Sequence, residues 1–365
     1  MRFLFIMLLF SFSLSLQAQN AVKNQPFMQN YEGTMNGKIP IRMHLVNWGD
    51  GMIRGDYLYK KVGKKIDIYG DFTTGDAFTL KEYANDKQTG TFAGKFATAN
   101  KITGTWSNPE GTKKLPFEVA AVKRAADNSG WSGVWYLNDV WDGGTLLVGN
   151  VRKDSLDFAL NVYRSGHLGE VEGTAARQGN QAKFVATIVE TDEKEKCQIT
   201  FNLKGNQVEI EQVSSGWACG FGMRAHASGT FENKKIEKKA SLKYGTEEVF
   251  ATKVQHDGFK TLVGQKIYEL FAYNMQGFEK QEQEAGDGFK ATVVVGAVAG
   301  LYMSNEAIIL YDSKGKYWAA TLDFDKENNG LIRYFTNEEK WKEKLPATIH
   351  KWRERFVDYK IVFGH

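Results

Sequence analysis

The amino-acid sequence predicts a mainly β protein with two consecutive antiparallel meander β-barrels followed by a smaller α+β domain. Apolar and polar residues alternate in many short segments between positions 31 and 235, which is typical of half-buried strands. Turn-forming stretches such as "TTGD" and "NPEG" separate these segments, and no helical pattern interrupts them. Because closure removes exposed sheet edges, we expect the meanders to form barrels rather than open sheets.

The first 18 residues have the features of a secretory signal peptide. Arg2 supplies a positive charge, an apolar run extends from Phe3 to about Leu16, and Ala18 is a small residue suited to cleavage. The run is shorter than the roughly 20 residues that a membrane-spanning helix requires. We therefore expect cleavage after Ala18, an amino-terminal extension over residues 19–30, and an exported mature chain, periplasmic or secreted, without a transmembrane segment.

The composition is that of a globular protein with nearly balanced charge. Aromatic residues make up 13% of the chain, and 47 basic residues face 43 acidic ones. The basic residues do not form the aromatic-interleaved stripe that nucleic-acid binding requires. We therefore expect no nucleic-acid partner.

The first barrel is predicted over residues 31–122. Ile39, Ile41 and Leu45 share one strand face, and polar residues occupy the other. Further segments of the same kind follow at hairpin-length intervals, which gives about seven strands in all.

The second barrel is predicted over residues 130–235, with eight strands. Each barrel begins with an aromatic-x-Gly step and closes on a Gly-Thr-aromatic step, which favours a duplicated module. Alternatively, such pairs recur in any meandering sheet, because glycine lets a strand bend while an aromatic ring covers it. The steps are Tyr31 with Gly33, Trp131 with Gly133, Gly104-Thr105-Trp106 and Gly229-Thr230-Phe231.

The two cysteines of the chain, Cys197 and Cys219, are expected to form a disulfide. A hairpin turning at Gly205 places Cys197 opposite Val213, and a short glycine-containing turn then carries Cys219 back beside it. Exported proteins retain disulfides, and a bridge across about 22 residues stabilises a fold by roughly 3 kcal/mol. A metal site or a catalytic thiol is the alternative, but the nearby His226 lies in "GMRAHASGTF", whose alternation predicts an ordinary strand side chain.

Residues 234–245 are rich in lysine and lack apolar periodicity, which predicts an exposed linker. The α+β domain is predicted over residues 246–365, with a helix packed on an antiparallel sheet. Its predicted strands lie in "VGQKIYELFAYNMQ", "FKATVVVGAVAGLY", "EAIILYDSKGKYWAATLDF", "GLIRYF" and "YKIVF".

The helix of this domain is predicted over residues 336–356. Thr336 and Glu339 have the spacing of a capping box, and Pro346 must kink the helix or split it in two. Its lysines and arginines suit anionic envelope polymers or lipid headgroups, or they form the solvated face that any sheet-packed helix needs.

The stretch "WSGVW" places Gly133-Val134-Trp135 at the start of an eight-stranded meander. This arrangement resembles the Gly-x-Trp of lipocalin-like (calycin) barrels. A small, secreted, disulfide-bonded barrel is also similar in general build to the bacterial periplasmic lysozyme inhibitors. Their Ser-Gly-x-x-Tyr loop has no counterpart here, so none of their binding residues transfers to this chain. The resemblance implies a binding protein rather than an enzyme.

Four tryptophans of the second barrel are candidate ligand-binding residues. Trp131, Trp135, Trp141 and Trp217 lie near predicted strand ends or turns. Small barrels bind guests at an open mouth, where aromatic faces cover apolar or sugar surface. Alternatively, the tryptophans fill the barrel ends as part of the core.

Two acidic stretches suggest other chemistry. "DFDKENNG" spaces three carboxylates as calcium loops do, but Asn328 and Tyr334 stand where an EF-hand requires glycine and glutamate, so we predict no metal. Glu306 lies among apolar residues, where burial raises a carboxyl pKa as a general acid requires. Exposure, or pairing with a lysine, is the alternative.

The sequence therefore predicts a non-enzymatic exported binding protein for an apolar or glycan ligand or an envelope protein, with no catalytic residue and no cofactor. Two alternatives remain open. One is an inhibitor of lysozyme or another cell-envelope hydrolase. The other is an envelope glycan hydrolase that uses Glu306, although glycoside hydrolysis requires a second carboxylate.

Overall fold

The computed structural model describes residues 22–124, 126–189, 195–284 and 288–364. The predicted signal peptide and its cleavage position lie outside these ranges. The mainly β class is confirmed: two closed eight-stranded antiparallel barrels precede a smaller sheet domain with helices. The chain divides into two compact units, one ending at Ala126 and the other beginning at Asp127. The first unit contains one barrel, and the second contains the other barrel and the sheet domain.

The first barrel follows a short 3-10 turn at Val22–Asn24. Its strands are β1 (Phe27–Met35), β2 (Ile39–Asn47), β3 (Met52–Tyr59), β4 (Lys65–Phe72), β5 (Ala77–Ala84), β6 (Lys87–Thr98), β7 (Lys101–Ser107) and β8 (Lys114–Ala121). Each strand pairs antiparallel with the next, and β8 closes the barrel against β1 from Tyr31↔Ala121 to Met35↔Phe117.

The sequence analysis missed β1, which accounts for the difference between seven expected strands and eight observed ones. The buried residues of β1 are Met28, Tyr31 and Met35, spaced by three and four positions rather than two. At Gly33, a Cβ atom would lie 2.0 Å from a carbonyl oxygen of β8, so the two strands approach closely there. The strand that closes the barrel therefore lacks the alternation by which strands are recognised.

One buried carboxylate lies inside this barrel, near the hairpin between β5 and β6. Glu82 is 5% exposed. Its Oε2 accepts hydrogen bonds from the Tyr57 hydroxyl at 2.7 Å and the Trp106 indole N–H at 2.6 Å, and its Oε1 accepts one from the Thr89 hydroxyl at 2.6 Å. Three neutral donors therefore stabilise the carboxylate in the core. Burial, together with the bond to Glu82, raises the pKa of Tyr57, which keeps its hydroxyl protonated as a donor.

The second barrel has the eight strands that the sequence predicts. They are β9 (Gly133–Asn138), β10 (Asp142–Gly149), β11 (Ser155–Arg164), β12 (His167–Gln178), β13 (Gln181–Ala186), β14 (Cys197–Lys204), β15 (Gln207–Gln212) and β16 (Gly229–Glu232). The barrel closes where β16 pairs with β9, at Phe231↔Leu137 and Glu232↔Tyr136. The last strand is shorter than the predicted segment 222–231, because the residues before Gly229 form an irregular connection.

The predicted disulfide between Cys197 and Cys219 is confirmed. The hairpin of β14 and β15 turns at Gly205, which has a left-handed φ of 63°. Its register differs by one residue from the expectation: the Val213 N–H donates to the Gln198 carbonyl at 3.0 Å, so Val213 lies opposite Gln198 rather than Cys197. The disulfide tolerates this shift because Cys219 belongs to a short 3-10 helix in the following connection rather than to a strand.

The third domain contains a six-stranded sheet in sequential order. Its strands are β17 (Gly277–Glu284), β18 (Lys290–Ala297), β19 (Glu306–Tyr311), β20 (Tyr317–Phe324), β21 (Gly330–Thr336) and β22 (Lys360–Gly364). Neighbours pair antiparallel as far as β21, but β22 runs parallel to β21. The prediction of a wholly antiparallel sheet was wrong at this edge, because helical residues between β21 and β22 carry the chain back to the start of β21.

A helix that the sequence analysis missed, α1 (Lys253–Asn274), packs on one face of this sheet. The segment 263–276 was predicted as a strand. The capping box lies at the start of α1: the Gln255 N–H donates to Thr252 Oγ1 at 3.3 Å, and the Thr252 N–H donates to Gln255 Oε1 at 3.1 Å. Gly264, with φ 73° and ψ 162°, interrupts the helix and breaks its apolar periodicity.

The predicted helix over residues 336–356 is divided into short pieces on the opposite face of the sheet. A 3-10 turn at Glu339–Trp341 precedes α2 (Ala347–Arg353), and a second 3-10 turn at Glu354–Phe356 follows. Pro346 stands immediately before α2 and splits the segment, as expected. Thr336 does not form the predicted capping box, because it ends β21 and its hydroxyl donates to the Tyr317 carbonyl at 2.6 Å.

The segment predicted as a linker runs along α1. Its residues up to Lys243 form neither helix nor strand. Leu242 is buried, and its backbone N–H donates to the Tyr268 hydroxyl of α1 at 2.9 Å. Across the described ranges, none of the helices combines the length and apolar character needed to cross a bilayer.

Candidate functional site

Two of the four candidate tryptophans lie in the core of the second barrel. Trp131 is fully buried, and Trp135 is 3% exposed. The Trp131 indole N–H donates to the Gly179 carbonyl at 3.2 Å, and the Trp135 indole N–H donates to the Trp131 carbonyl at 3.1 Å. Both indole N–H groups are hydrogen-bonded inside the protein, so Trp131 and Trp135 are core residues of the barrel.

The topology brings the other two tryptophans to one end of the same barrel. Successive strands alternate in direction, so the connections β9–β10, β11–β12, β13–β14 and β15–β16 all emerge at one end. Trp141 lies in the first of these connections and Trp217 in the last. Trp131 precedes β9 and contacts the β12–β13 hairpin, so it belongs to the opposite end.

The sheet domain covers the part of this end that carries Trp141. The Trp141 and Tyr273 ring centroids are 6.1 Å apart, and the Tyr273 hydroxyl is hydrogen-bonded to the Tyr163 hydroxyl of β11 at 2.5 Å. Leu301 fills the space above Gly166, where a Cβ atom would lie 2.2 Å from its side chain. Trp141 is half-buried against the core of the sheet domain and therefore contributes to the contact between the two modules.

The uncovered part of this end presents exposed apolar side chains, which we name the disulfide rim. Trp217 is 68% exposed, Leu168 is 65% exposed and Met223 is 63% exposed. Such large apolar side chains are normally scattered singly over a protein surface, whereas contiguous apolar patches mark interaction sites. The rim consists of Leu168, Ile188, Val189, Trp217 and Met223.

Short contacts join the members of the disulfide rim. A Cβ atom on Gly220 would lie 3.4 Å from Ile188 and 3.6 Å from Val189, so these residues pack beside the turn that follows Trp217. The Gly222 N–H donates to the Leu168 carbonyl at 2.9 Å, which places the next residue, Met223, beside Leu168. The rim is therefore built from two connections of the barrel, β13–β14 and β15–β16, together with Leu168 at the start of β12.

The loop that carries Trp217 is held in place by buried groups. Cys219 is disulfide-bonded, and Phe221 is buried with its ring over Gly169, where a Cβ atom would lie 2.6 Å from the ring. The Ser215 N–H and hydroxyl donate to the two Glu195 carboxylate oxygens at 3.0 and 2.6 Å, and these bonds lower the pKa of Glu195. An exposed aromatic ring on a fixed loop loses little conformational entropy on binding.

Arg164 anchors the return of this loop to the barrel. Its guanidinium is almost fully buried and donates to the His226 carbonyl at 2.9 Å, to the Ser228 carbonyl and to Asp142 Oδ2 at 3.1 Å. His226 lies in the irregular connection, so the prediction that it is a strand residue was wrong. Burial, reinforced by the nearby Arg164 charge, lowers the pKa of His226 and favours the neutral imidazole.

Glu306 lies at the start of β19 and is 2% exposed. Arg355 binds its carboxylate through two hydrogen bonds, from Nη2 at 2.5 Å and Nη1 at 3.2 Å. Burial raises the pKa of Glu306, and the Arg355 charge opposes that effect. Both carboxylate oxygens accept from a guanidinium, so Glu306 is paired as the alternative expected, but its partner is an arginine rather than a lysine.

The acidic stretch before β21 uses its carboxylate within a turn. Asp325 Oδ1 accepts the Glu327 N–H at 3.0 Å and the Asn329 N–H at 2.7 Å. Within the ranges that the structure describes, no group of three or more histidine, cysteine, aspartate or glutamate side chains is arranged to hold a metal ion.

Comparison with known proteins gives no relative from which a function could be transferred. No protein-family model matches the chain, and a search of curated proteins finds no significant match. The site is therefore interpreted from its own geometry.

Sequence reasoning identified Trp217 but missed the apolar neighbours that surround it. Leu168 lies on the outward face of β12 together with Glu170 and Glu172. Its exposure could have been predicted from the alternation of this strand. Ile188 and Val189 follow the end of β13 at Ala186. Their exposure depends on where that strand stops, and strand ends are poorly defined by sequence patterns.

Proposed function

We propose that this protein is an exported, non-enzymatic binding protein whose disulfide rim binds an apolar segment of a partner protein. The observation that carries the proposal is the 68% exposure of Trp217 at a barrel end that presents the other exposed apolar side chains of the disulfide rim. Tryptophan residues of this kind supply most of the binding energy at protein interfaces. The disulfide fits a protein that functions outside the reducing cytosol.

The surroundings of Trp217 favour an apolar partner over a glycan. Glycan sites combine an aromatic face with polar groups that fix the sugar hydroxyls. The neighbours of Trp217 in the rim are aliphatic side chains and a methionine, Ile188, Val189 and Met223. The carboxylate beside this loop, Glu195, is already bonded through both oxygens to Ser215.

A surface mode of binding fits the packing of the second barrel better than a guest held in its interior. The inward-facing side chains of its strands form one buried cluster that includes Phe158, Phe184 and Phe201, with ring centroids about 5 Å apart. Such packing fills a small barrel with its own side chains. We therefore place the ligand on the rim.

The test compares the mature chain with two variants that each replace exposed apolar side chains by serine, one in the disulfide rim and one outside it. W217S/M223S removes the centre of the rim, and V254S changes Val254, which is 81% exposed on α1. Partners are captured from envelope extracts, identified, purified and titrated against each protein. We expect W217S/M223S to bind the purified partner at least about tenfold more weakly and V254S to bind it as the original chain does.

Two outcomes would overturn this proposal. One is a purified partner that binds W217S/M223S as tightly as the original chain. The other is a soluble glycan that binds with rim-dependent affinity while no protein does. If the captured partner is a hydrolase whose activity falls on binding, the disulfide rim remains the binding surface and the inhibitor alternative is supported.

A further inference from the structure

The connections at one end of the first barrel are strongly basic. Because its strands alternate in direction, the connections β1–β2, β3–β4, β5–β6 and β7–β8 emerge at the same end. Together with the first residue of the strand that follows each of them, these connections contain eight lysines against Asp86 and Glu110, a formal charge of +6. We name this surface the basic end, and its lysines are Lys38, Lys60, Lys61, Lys64, Lys65, Lys87, Lys113 and Lys114.

Most of this charge is available to a partner. All eight lysines are exposed. Lys60 pairs with Glu32 at 2.6 Å and Lys65 pairs with Asp56 at 2.7 Å, so two of the eight are neutralised locally. Five others form no ion pair with any residue in the described part of the chain: Lys38, Lys61, Lys64, Lys87 and Lys114.

An apolar residue stands at the tip of the most basic connection. The hairpin between β3 and β4 reads "KKVGKK", and Val62 at its apex is 70% exposed. Gly63, with a left-handed φ of 75°, allows the tight turn that projects Val62 between Lys61 and Lys64. An exposed apolar tip flanked by ammonium groups complements a bilayer surface, where lipid phosphates lie above the acyl chains.

The opposite end of the same barrel differs in charge pattern. Its three connections carry Asp50, Asp76 and Lys101, and the chain segments that enter and leave the barrel add Lys23, Lys123 and Arg124. The formal charge there is +2, with both signs present. This end offers a matched control for a surface effect within one folded barrel.

We propose that the basic end of the first barrel binds the surface of an anionic lipid bilayer, with lysine ammonium groups at the lipid phosphates and Val62 among the headgroups. A soluble polyanion would be bound by the lysines alone and would leave Val62 without a role. The inference rests on the first barrel only and does not depend on the disulfide rim of the second.

The test measures partitioning of the mature full-length chain onto phosphatidylcholine vesicles with and without phosphatidylglycerol. Three variants are compared: K61Q/K64Q/K114Q, the control K23Q/K101Q/K123Q, and V62S. Each lysine near an anionic surface strengthens binding to a similar extent, so the first triple variant should lower partitioning onto anionic vesicles by roughly 100-fold. The control triple should change it by less than about threefold, and V62S should lower it by about fivefold because one apolar side chain no longer enters the interface.

Polyphosphate is the second probe, because it offers phosphates without a bilayer. V62S should bind polyphosphate as the original chain does while losing affinity for vesicles. Equal losses for the two triple variants would overturn the proposal, as would equal binding to vesicles without phosphatidylglycerol. A V62S variant that behaves like the original chain on both probes would assign the lysines to a soluble polyanion instead. Thermal melts of the variants should nearly coincide, because the substituted side chains are exposed apart from the half-buried Lys23.

Discussion

The two barrels share strand number and order but close in different ways. In the first, β8 has eight residues and pairs along its length with β7 and β1. In the second, β16 has four residues and makes two residue pairs with β9, and the irregular segment 213–228 precedes it. The disulfide, the Arg164 anchor and buried Phe221 hold that segment. A barrel can thus replace strand pairing with local cross-links, and the freed segment can then present side chains such as Trp217 to a partner.

The largest effect expected from this difference follows from Arg164. R164M removes the buried donor that serves Asp142 and the carbonyls of His226 and Ser228, and leaves these partly buried acceptors without it. Breaking a buried pair from one side destabilises proteins by about 3–5 kcal/mol. We expect a loss of this size in urea unfolding of the second unit, with hydrogen exchange in β1–β8 unchanged. Exchange that rises equally in both barrels would contradict a local role for Arg164.

The disulfide should have the next largest effect. C197A/C219A releases the segment that replaces the missing strand pairing, and in the chain-entropy model this lowers the unfolding free energy by roughly 3 kcal/mol. Urea denaturation of the variant, and of the original chain with reductant, should agree. The first barrel contains no cysteine, so its hydrogen exchange under reductant is the control. A urea midpoint that does not respond to reductant would show that Arg164 and Phe221 hold the segment without the bridge.

A smaller effect is expected in the first barrel, where the polar group lies inside a complete ladder of strands. E82Q keeps the shape of the side chain but removes its charge and turns one acceptor oxygen into an amide donor. Either the Thr89 bond must reverse its direction, or the Tyr57 and Trp106 donors lose their shared acceptor. An unsatisfied buried group of this kind destabilises a protein by about 1–3 kcal/mol. Unfolding followed by hydrogen exchange should locate the loss in β3, β5 and β7. A stability equal to that of the original chain would mean that the three bonds contribute nothing net.

The sequence predicted those features that depend on regular alternation or on a small number of candidates. Two cysteines leave one pairing, and clean alternation defined most strands of both barrels. The strand β1 and the helix α1 were missed for a common reason: barrel closure in one case and a helix kink in the other disrupt the regular spacing of apolar residues. In β1 the buried residues do not alternate, because the strand lies close to β8 at Gly33. In α1 the helix is interrupted at Gly264.

The candidate site was predictable only in part for a related reason. Trp217 was identified as a residue of the barrel mouth, but Trp131 and Trp135 have the same residue type and the same proximity to predicted turns. Their difference in exposure, from fully buried to 68%, depends on which barrel end each occupies and on what covers it. That information comes from the order and direction of all eight strands together, and no local stretch of sequence contains it.

The smallest effect on stability is expected for substitution of Trp217. Comparison with substitution of Trp141 tests which of the two tryptophans at this end of the second barrel belongs to an exposed surface. W217A removes a side chain that is 68% exposed, so the unfolding free energy should change by less than about 0.5 kcal/mol. W141A removes a half-buried ring packed near Tyr273, and the loss should be larger, on the order of 1–2 kcal/mol. Acrylamide quenching gives a second measurement, since W217A should remove the most accessible tryptophan fluorescence and W141A should not. If W217A destabilised the protein as much as W141A, Trp217 would belong to the core in solution, and the disulfide rim would lose its centre.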